Sequence, residues 1–221
     1  MRDTIRGNGN VRKMNRDIKS FAELDISSAL EVHFRQDSAL SLTIEADENL
    51  QEYIIVRNDG DRLEIHTESG YNVDPSFGSR VRIYVTAPSV ESIRISGASN
   101  LISDATITVN NLSIDLSGAS EADLDIRSPE TDLDISGASS AKLRGETRNL
   151  TVSGSGASHA RCFDFRSENV SVDVSGATSA EVYASVNVNA SASGASKVRY
   201  RGGGKVETSK SSGASSIDKA D

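Results

Sequence analysis

A four-residue motif, Ser-Gly-Ala-Ser, returns through the second half of the chain at nearly constant spacing. One of its seven copies reads Ser-Gly-Ala-Thr. The successive intervals are 21, 19, 19, 20, 18 and 19 residues. A repeat of this length indicates that one structural unit is stacked many times. The copies begin at Ser96, Ser117, Ser136, Ser155, Ser175, Ser193 and Ser212.

Apolar and polar residues alternate on both sides of the motif. Before the second copy, Ile114 and Leu116 flank Asp115, and after it Ala122 and Leu124 follow at alternate positions. A period of two residues is typical of a strand with one buried face. Each repeat is therefore strand, corner, strand, with no room for a helix.

The sequence predicts an all-β fold, a single-stranded right-handed parallel β-helix with coils of about 19 residues. Neighbouring coils would pair about 4.8 Å apart. The right hand follows the usual preference of parallel crossovers. A left-handed hexapeptide helix is disfavoured because the intervals do not keep to multiples of six.

The motif marks a corner in each coil, and its glycine supplies a positive φ or a close backbone approach. A second corner is predicted six residues before the motif, where asparagine recurs. Asparagine tolerates the left-handed conformation of a sharp bend, and its stacked side chains can hydrogen-bond between coils. The predicted structural corners are Gly97, Gly118, Gly137, Gly156, Gly176, Gly194 and Gly213, with Asn111, Asn149, Asn169 and Asn187.

The chain divides by pattern into two parts of one continuous domain. Residues 91–221 hold the regular coils, and residues 1–90 hold irregular N-terminal coils with a hairpin and a loop insertion. A degenerate corner begins at Ile26, and the Gly-Asn-Gly-Asn stretch from Gly7 suggests an earlier coil. The stretch "EADENLQEYI" predicts a short helical turn, Asn58–Gly60 a hairpin turn, and Ser69–Ser79 an exposed loop.

Three stretches outside the repeat are distinctive: "GNGNV" from Gly7, "LTIEADENL" from Leu42 and "VTAPSVESI" from Val85. With these stretches and the serial Ser-Gly-Ala-Ser copies, the chain resembles the bacterial family of auto-transporter adhesin head GIN domains. The resemblance covers essentially the whole chain. It implies a right-handed β-helix that is exported to the cell envelope, and it carries over no catalytic residues.

Few residues in the sequence indicate a catalytic or metal-binding site. The three histidines lack metal-ligand spacing, Cys162 is interpreted as a small core residue, and no cofactor is predicted. Asp115 and Asp134 share an outward position in adjacent coils, where a cation could relieve their repulsion. Because no basic partner is apparent on neighbouring rungs, a solvated acidic stripe is the favoured interpretation, and no metal site is predicted.

Composition narrows the function classes. With 24 basic and 32 acidic residues the net charge is −8, which disfavours nucleic acid as a partner. No apolar run is long enough for a membrane span. The start "MRDTIRGNGN" lacks the apolar core of a signal peptide, so the chain is either cytosolic or a trimmed mature form.

The favoured function is a non-catalytic cell-envelope protein, an adhesin or surface interaction module whose partner is a surface glycan or protein. One alternative is a polysaccharide lyase or hydrolase, which the absence of Trp and of a convergent acid and base disfavours. The other is a structural or regulatory cytosolic solenoid. If a binding face exists, Tyr71, Asn72 and Phe77 in the one long non-repetitive loop are the predicted contacts.

Overall fold

The computed structural model describes residues 3–221, which form twenty strands and one 3-10 helix, Glu48–Tyr53. The strands are β1 (Asp3–Arg6), β2 (Val11–Arg16), β3 (Glu23–Ile26), β4 (Glu31–Gln36), β5 (Ser41–Asp47), β6 (Ile54–Asp59), β7 (Arg62–Thr67), β8 (Tyr71–Asp74), β9 (Arg82–Ala87), β10 (Ser92–Ile95), β11 (Asn100–Ser103), β12 (Ile107–Thr108), β13 (Asn111–Leu116), β14 (Glu121–Ile135), β15 (Ser140–Gly154), β16 (His159–Val174), β17 (Ser179–Ala192), β18 (Lys197–Arg201), β19 (Lys205–Ser211) and β20 (Ser216–Lys219).

The strands stack as a parallel β-solenoid with two main faces. The leading face holds the strands that precede each Ser-Gly-Ala-Ser corner, in the order β7, β3, β10, β13, β14, β15, β16, β17 and β19. The trailing face holds those that follow it, in the order β9, β4, β11, β14, β15, β16, β17, β18 and β20. The long strands β14 to β17 contribute to both faces. The predicted fold class, with coils about 19 residues apart, is confirmed.

The Ser-Gly-Ala-Ser motif forms the first corner of every coil, as predicted. Its seven glycines have φ between 71° and 76°. The carbonyl oxygen of each glycine except Gly213, in the last coil, accepts a hydrogen bond from the alanine N–H of the next coil, for example Ala138 N to Gly118 O at 2.7 Å. A β-carbon on Gly137 would collide with that same carbonyl oxygen of Gly118. Both the positive φ and the close approach therefore require glycine.

The last residue of the motif closes the corner from inside. Ser120 Oγ donates to Ser117 O at 2.7 Å, and Ser158 Oγ donates to Ser155 O at 2.9 Å. These side chains are buried, so the internal bond satisfies a hydroxyl that water cannot reach. Ser139 is the exception, since its buried Oγ has no hydrogen-bond partner among the described residues.

The second corner, residues 127–130, 146–149, 166–169 and 184–187, carries the predicted asparagine ladder. Asn169 donates to the Asn149 side-chain oxygen and Asn187 to that of Asn169, each at 2.9 Å, while Asn149 donates to Glu130 at 2.6 Å. Asn111 stands opposite Glu130 in the same row. The predicted left-handed backbone at these asparagines is wrong, because the described non-glycine residues with positive φ are Ser28 and Ala29. Asparagine recurs at this position because its side chains hydrogen-bond from one coil to the next, and not because the backbone is left-handed there.

The N-terminal part joins the same stack. β3 pairs in parallel with β10, and the degenerate corner places Ser28, with φ 76°, where later coils have glycine. The helical turn forms at Glu48–Tyr53, and Gly60 turns the antiparallel hairpin of β6 and β7.

Two N-terminal predictions need correction. The stretch from Gly7 does not begin a coil, because it leads into β2, which pairs antiparallel with β5. The segment Ser69–Ser79 is not entirely loop, because Tyr71–Asp74 forms β8 and pairs in parallel with β1. Both departures arise from long-range pairing that the local pattern does not encode.

The core is one continuous column of aliphatic side chains between the two faces, with Phe34 and Phe165 as the largest fully buried members. Burial of each such side chain is worth about 1.5–3 kcal/mol. At the C-terminal end, Ser209 and Ser211 occupy inward positions of the last coil and are exposed, so the stack ends on a polar surface. At the N-terminal end, β2 carries Arg12, Lys13 and Arg16, and charge on an edge strand discourages pairing with another chain. No helix among residues 3–221 has the length and hydrophobicity needed to cross a bilayer.

Candidate functional site

The loop between β8 and β9 is the candidate site that the sequence predicted. Phe77 is fully exposed at its tip, with a relative accessibility of 109%, and Asn72 is exposed on β8. Tyr71 is half-buried and packs on Tyr53, with ring centroids 4.9 Å apart. The structure therefore presents Asn72 and Phe77 to solvent, whereas Tyr71 partly supports the loop.

A buried carboxylate, Asp47, anchors this loop. Its Oδ1 accepts a hydrogen bond from Gly9 N at 2.7 Å, and its Oδ2 accepts from Ser76 N at 3.0 Å and from Ser79 Oγ at 3.1 Å. A β-carbon on Gly7 would collide with the same carboxylate. One side chain thus fastens both the N-terminal turn and the Phe77 loop to the end of β5.

The hydrogen bonds also favour the ionised form of the Asp47 carboxyl group. Burial opposes ionisation, but the hydrogen bonds from Ser76, Gly9 and Ser79 outweigh it and lower the pKa of this carboxyl. The sequence analysis missed Asp47, because its partners lie 29 to 38 residues away along the chain. The glycine-rich start of the chain was the one available signal.

A cleft lies between the Phe77 loop and the first corners. Val73, Pro75 and Arg80 line one wall, and the corner residues Ala29 and Ala98 line the other, around a volume of about 300 Å³. The volume of the cleft is at the lower end of the range for sites that bind small molecules or single side chains. The exposed Phe77 and this cleft together make one irregular surface on an otherwise regular solenoid.

A charged cluster borders the cleft on the trailing face. Each ring nitrogen of His33 lies 3.0 Å from a carboxylate, Nε2 from Glu31 and Nδ1 from Asp104, and the ring stacks on Tyr84 at 5.1 Å. Burial opposes protonation of His33, but the hydrogen bonds to Asp104 and Glu31 raise its pKa above the ordinary value. His33 is thus engaged in a surface ion-pair network that holds adjacent rungs together.

The acidic stripe on the leading face has a basic partner that the sequence analysis did not identify. Asp115 and Asp134 stand opposite each other on adjacent rungs, as predicted. Arg94 occupies the preceding rung, with its guanidinium 4.0 Å from both Asp115 and Asp25. Among residues 3–221 there is no group of three or more histidine, cysteine, aspartate or glutamate side chains that could hold a metal ion. Arg94 stands opposite Asp115 in the sheet register, and its positive charge relieves part of the repulsion between Asp115 and Asp134.

The remaining candidate nucleophile, the thiol of Cys162, is not accessible to solvent. Cys162 lies fully buried on the trailing face, and burial raises the pKa of its thiol to about 12. Its side chain fills an inward position that leucine occupies in the neighbouring coil at Leu143. The interpretation of Cys162 as a core residue agrees with this placement.

The likeness to known proteins extends over most of the solenoid and is not confined to one site. A family model described as "Putative auto-transporter adhesin, head GIN domain" matches residues 20–204. No curated protein matches the chain.

Solved structures share the fold at low sequence identity. A "putative adhesin" from Bacteroides fragilis superposes with a TM-score of 0.92 at 17% identity, covering 98% of this chain and 100% of its own. A "putative lipid binding protein" from Parabacteroides distasonis has a TM-score of 0.81 at 18% identity, with 99% and 100% covered. A "putative adhesin" from Parabacteroides merdae has a TM-score of 0.78 at 19% identity, with the same coverage. Since the family model spans most of the solenoid, the chain belongs to the auto-transporter adhesin head GIN domain family.

Proposed function

We propose that the chain is a non-catalytic interaction module of the bacterial cell envelope, an adhesin that displays its binding surface on a rigid solenoid. The observation that carries the proposal is the Phe77 loop. A large aromatic side chain stands fully in solvent on a loop that a buried carboxylate holds in place. Exposed aromatic anchors on a rigid support are typical of recognition surfaces.

The energetic argument concerns preorganisation. A free loop would lose conformational entropy on binding, and each immobilised side chain costs about 0.5–1.5 kcal/mol. The hydrogen bonds that Ser76 and Ser79 donate to Asp47, and the pairing of β8 with β1, order this segment before any partner arrives. An exposed phenyl ring that is held ready can then contribute most of its burial energy to binding.

The reactive side chains are engaged elsewhere, which supports a non-catalytic role. His33 is held between two carboxylates, and Cys162 is buried with a raised pKa. Family membership supports placement at the cell envelope and a surface glycan or protein as the partner.

The experiment compares point variants of the immobilised chain. Beads coated with the wild type, Phe77→Ser or Val186→Ser are exposed to a glycan array and to panels of epithelial and bacterial cells. Val186 is the matched control, because it is an apolar residue that is 49% exposed on β17, far from Phe77 along the sequence. We expect retention by the wild type and by Val186→Ser, and loss with Phe77→Ser.

Location is tested separately by labelling intact bacteria with an antibody against the solenoid. Labelling of unbroken cells is the expected result. Signal only after lysis, or equal retention by Phe77→Ser and the wild type, would contradict the proposal.

A further inference from the structure

A second recess lies far from the Phe77 loop, at the second corner of four successive coils. It encloses about 420 Å³ and is lined by residues 127–129, 146–148, 166–168, Tyr183 and Ser185. The volume lies within the range typical of small-ligand sites. We call this recess the arginine groove, after Arg127, Arg148 and Arg166.

The groove lies where the coil length changes. The coil from Ser155 has 20 residues and the coil from Ser175 has 18. The register between β16 and β17 shifts between Cys162 and Arg166 and again between Ser167 and Asn169. The unequal intervals of the repeat are therefore absorbed at this corner, beside the groove.

Two of the three arginines have no ionic partner within residues 3–221. Arg127 pairs with Glu146, with Nε 2.7 Å from Oε1. Arg148 and Arg166 are exposed and make neither a salt bridge nor a side-chain hydrogen bond within that part of the chain. Unneutralised guanidinium groups in a recess of a chain with net charge −8 point to an anionic ligand.

Tyr183 holds one of these arginines in position. The Arg166 guanidinium carbon lies 5.5 Å from the centre of the Tyr183 ring. A guanidinium that stacks on an aromatic ring loses mobility but keeps its in-plane N–H donors available. Those donors match a carboxylate in a two-bond geometry.

The other groups of the groove favour a saccharide over a peptide or a nucleic acid. Glu168 is exposed beside Arg166 and can accept hydrogen bonds from hydroxyl groups. Every strand that lines the groove is paired on both sides, so no free edge is present for an added peptide strand. Nucleic acid needs a long basic stripe to follow its row of phosphates, whereas this recess offers two unpaired arginines, enough for a single carboxylate.

We propose that the arginine groove binds an acidic saccharide of the uronate type. Arg148 and Arg166 hold the sugar carboxylate, Glu168 accepts from its hydroxyls, and Tyr183 is a positioning residue that fixes Arg166. The inference rests on the proposed surface-binding function and names a ligand class and a second surface for it.

The test is calorimetric titration of the whole chain with an oligosaccharide of alternating glucuronate and neutral sugar. The comparison ligand is the same oligosaccharide with its carboxylates reduced to alcohols. We expect saturable binding of the acidic form that weakens with added salt, no binding of the reduced form, and recovery of the ligand uncleaved. Arg148→Gln and Arg166→Gln should each weaken binding roughly tenfold, the value of a charge-assisted hydrogen-bonded contact.

Matched variants separate position from charge. Arg161→Gln removes the same charge from the same strand as Arg166 but lies outside the groove, and should leave the affinity unchanged. Tyr183→Leu should weaken binding, and Tyr183→Phe should restore it because the ring remains.

Three outcomes would overturn the groove proposal: no saturable binding, equal binding of the reduced oligosaccharide, or tighter binding of a poly-glutamate peptide. These outcomes leave the Phe77 experiment unaffected. If the wild type is not retained by cells, or if Phe77→Ser is retained equally, while oligosaccharide binding is intact, the result counts against the Phe77 surface alone.

Discussion

Single residues decide whether a coil can stack on its neighbour. At Gly137 the backbone has φ 71°, and the space that a β-carbon would need is occupied by the Gly118 carbonyl oxygen. That oxygen is also the acceptor for Ala138 N. A side chain at this position would thus break a hydrogen bond between coils besides straining its own backbone.

Replacement of Gly137 by valine should therefore destabilise the solenoid by more than about 2 kcal/mol, since a β-branched residue is strained at positive φ. Ser158→Ala should cost about 1 kcal/mol, the net value of one hydrogen bond. Ser139→Ala should cost less, because its hydroxyl makes no such bond. Denaturant unfolding of the three variants measures the order, and wild-type stability of Gly137→Val would show that the corner assignment is wrong.

The thiol of Cys162 provides a second test at the scale of one residue. Because it is fully buried and its pKa is raised to about 12, almost none is thiolate at neutral pH. We expect no reaction with a thiol reagent in the native protein and complete reaction in denaturant. Rapid native labelling would place Cys162 outside the core.

Elements are joined by a few polar anchors, and one of them is Asp47 at the end of β5. Its carboxylate fastens the turn after β1 and the loop after β8. Neither segment is part of the repeating coil. The order of the Phe77 loop therefore depends on this ionised side chain together with the pairing of β8 with β1.

Asp47→Ala should release the Phe77 loop at a cost of about 2–3 kcal/mol, the range for hydrogen bonds to a charged group. Since the folded pKa is lowered, the stabilisation is present above the unfolded pKa and is lost as the pH falls through the folded one. Amide protection at Ser76 and Gly9, measured as the exchange rate relative to the intrinsic rate at each pH, should fall with acidification in the wild type.

The matched control for this acid dependence is Asp134→Ala, which removes an exposed carboxylate from the leading face. Asp134→Ala should keep the wild-type pH dependence of amide protection at Ser76, whereas Asp47→Ala should abolish that dependence. A loop that exchanges equally in the wild type and in Asp47→Ala would contradict the anchoring role.

At the scale of the whole molecule, stacking makes a rigid rod with distinct surfaces. The leading face carries the aspartate stripe, the second corner carries the arginine groove, and the N-terminal end carries the Phe77 loop. A continuous column of aliphatic side chains connects them. Such a scaffold positions binding surfaces without the need for a lid or a moving domain.

We expect no lyase or hydrolase activity on uronate polymers or common glycans, with or without calcium, because His33 is held between two carboxylates and the thiol of Cys162 is buried. The measurement is product release after long incubation. Reproducible turnover that Asp115→Ala and Asp134→Ala together abolish would contradict the non-catalytic proposal.

The repeat made most of the fold predictable. Alternation around each motif identifies the strands, and a glycine at fixed spacing identifies the first corner, because both depend on local backbone sterics and side-chain period. Arg94 beside Asp115 could also have been found, since it occupies the same position one repeat earlier.

Other features required the tertiary structure. The antiparallel pairing of β2 with β5, the pairing of β1 with β8 and the anchor at Asp47 join segments far apart in sequence, where no period applies. The arginine groove likewise exists only because register shifts bring Arg148, Arg166 and Tyr183 from three coils to one corner. The solenoid and the exposed Phe77 loop could therefore be predicted, since the signals for both are local. The anchor at Asp47 and the arginine groove could not, because long-range pairing and register place their side chains together.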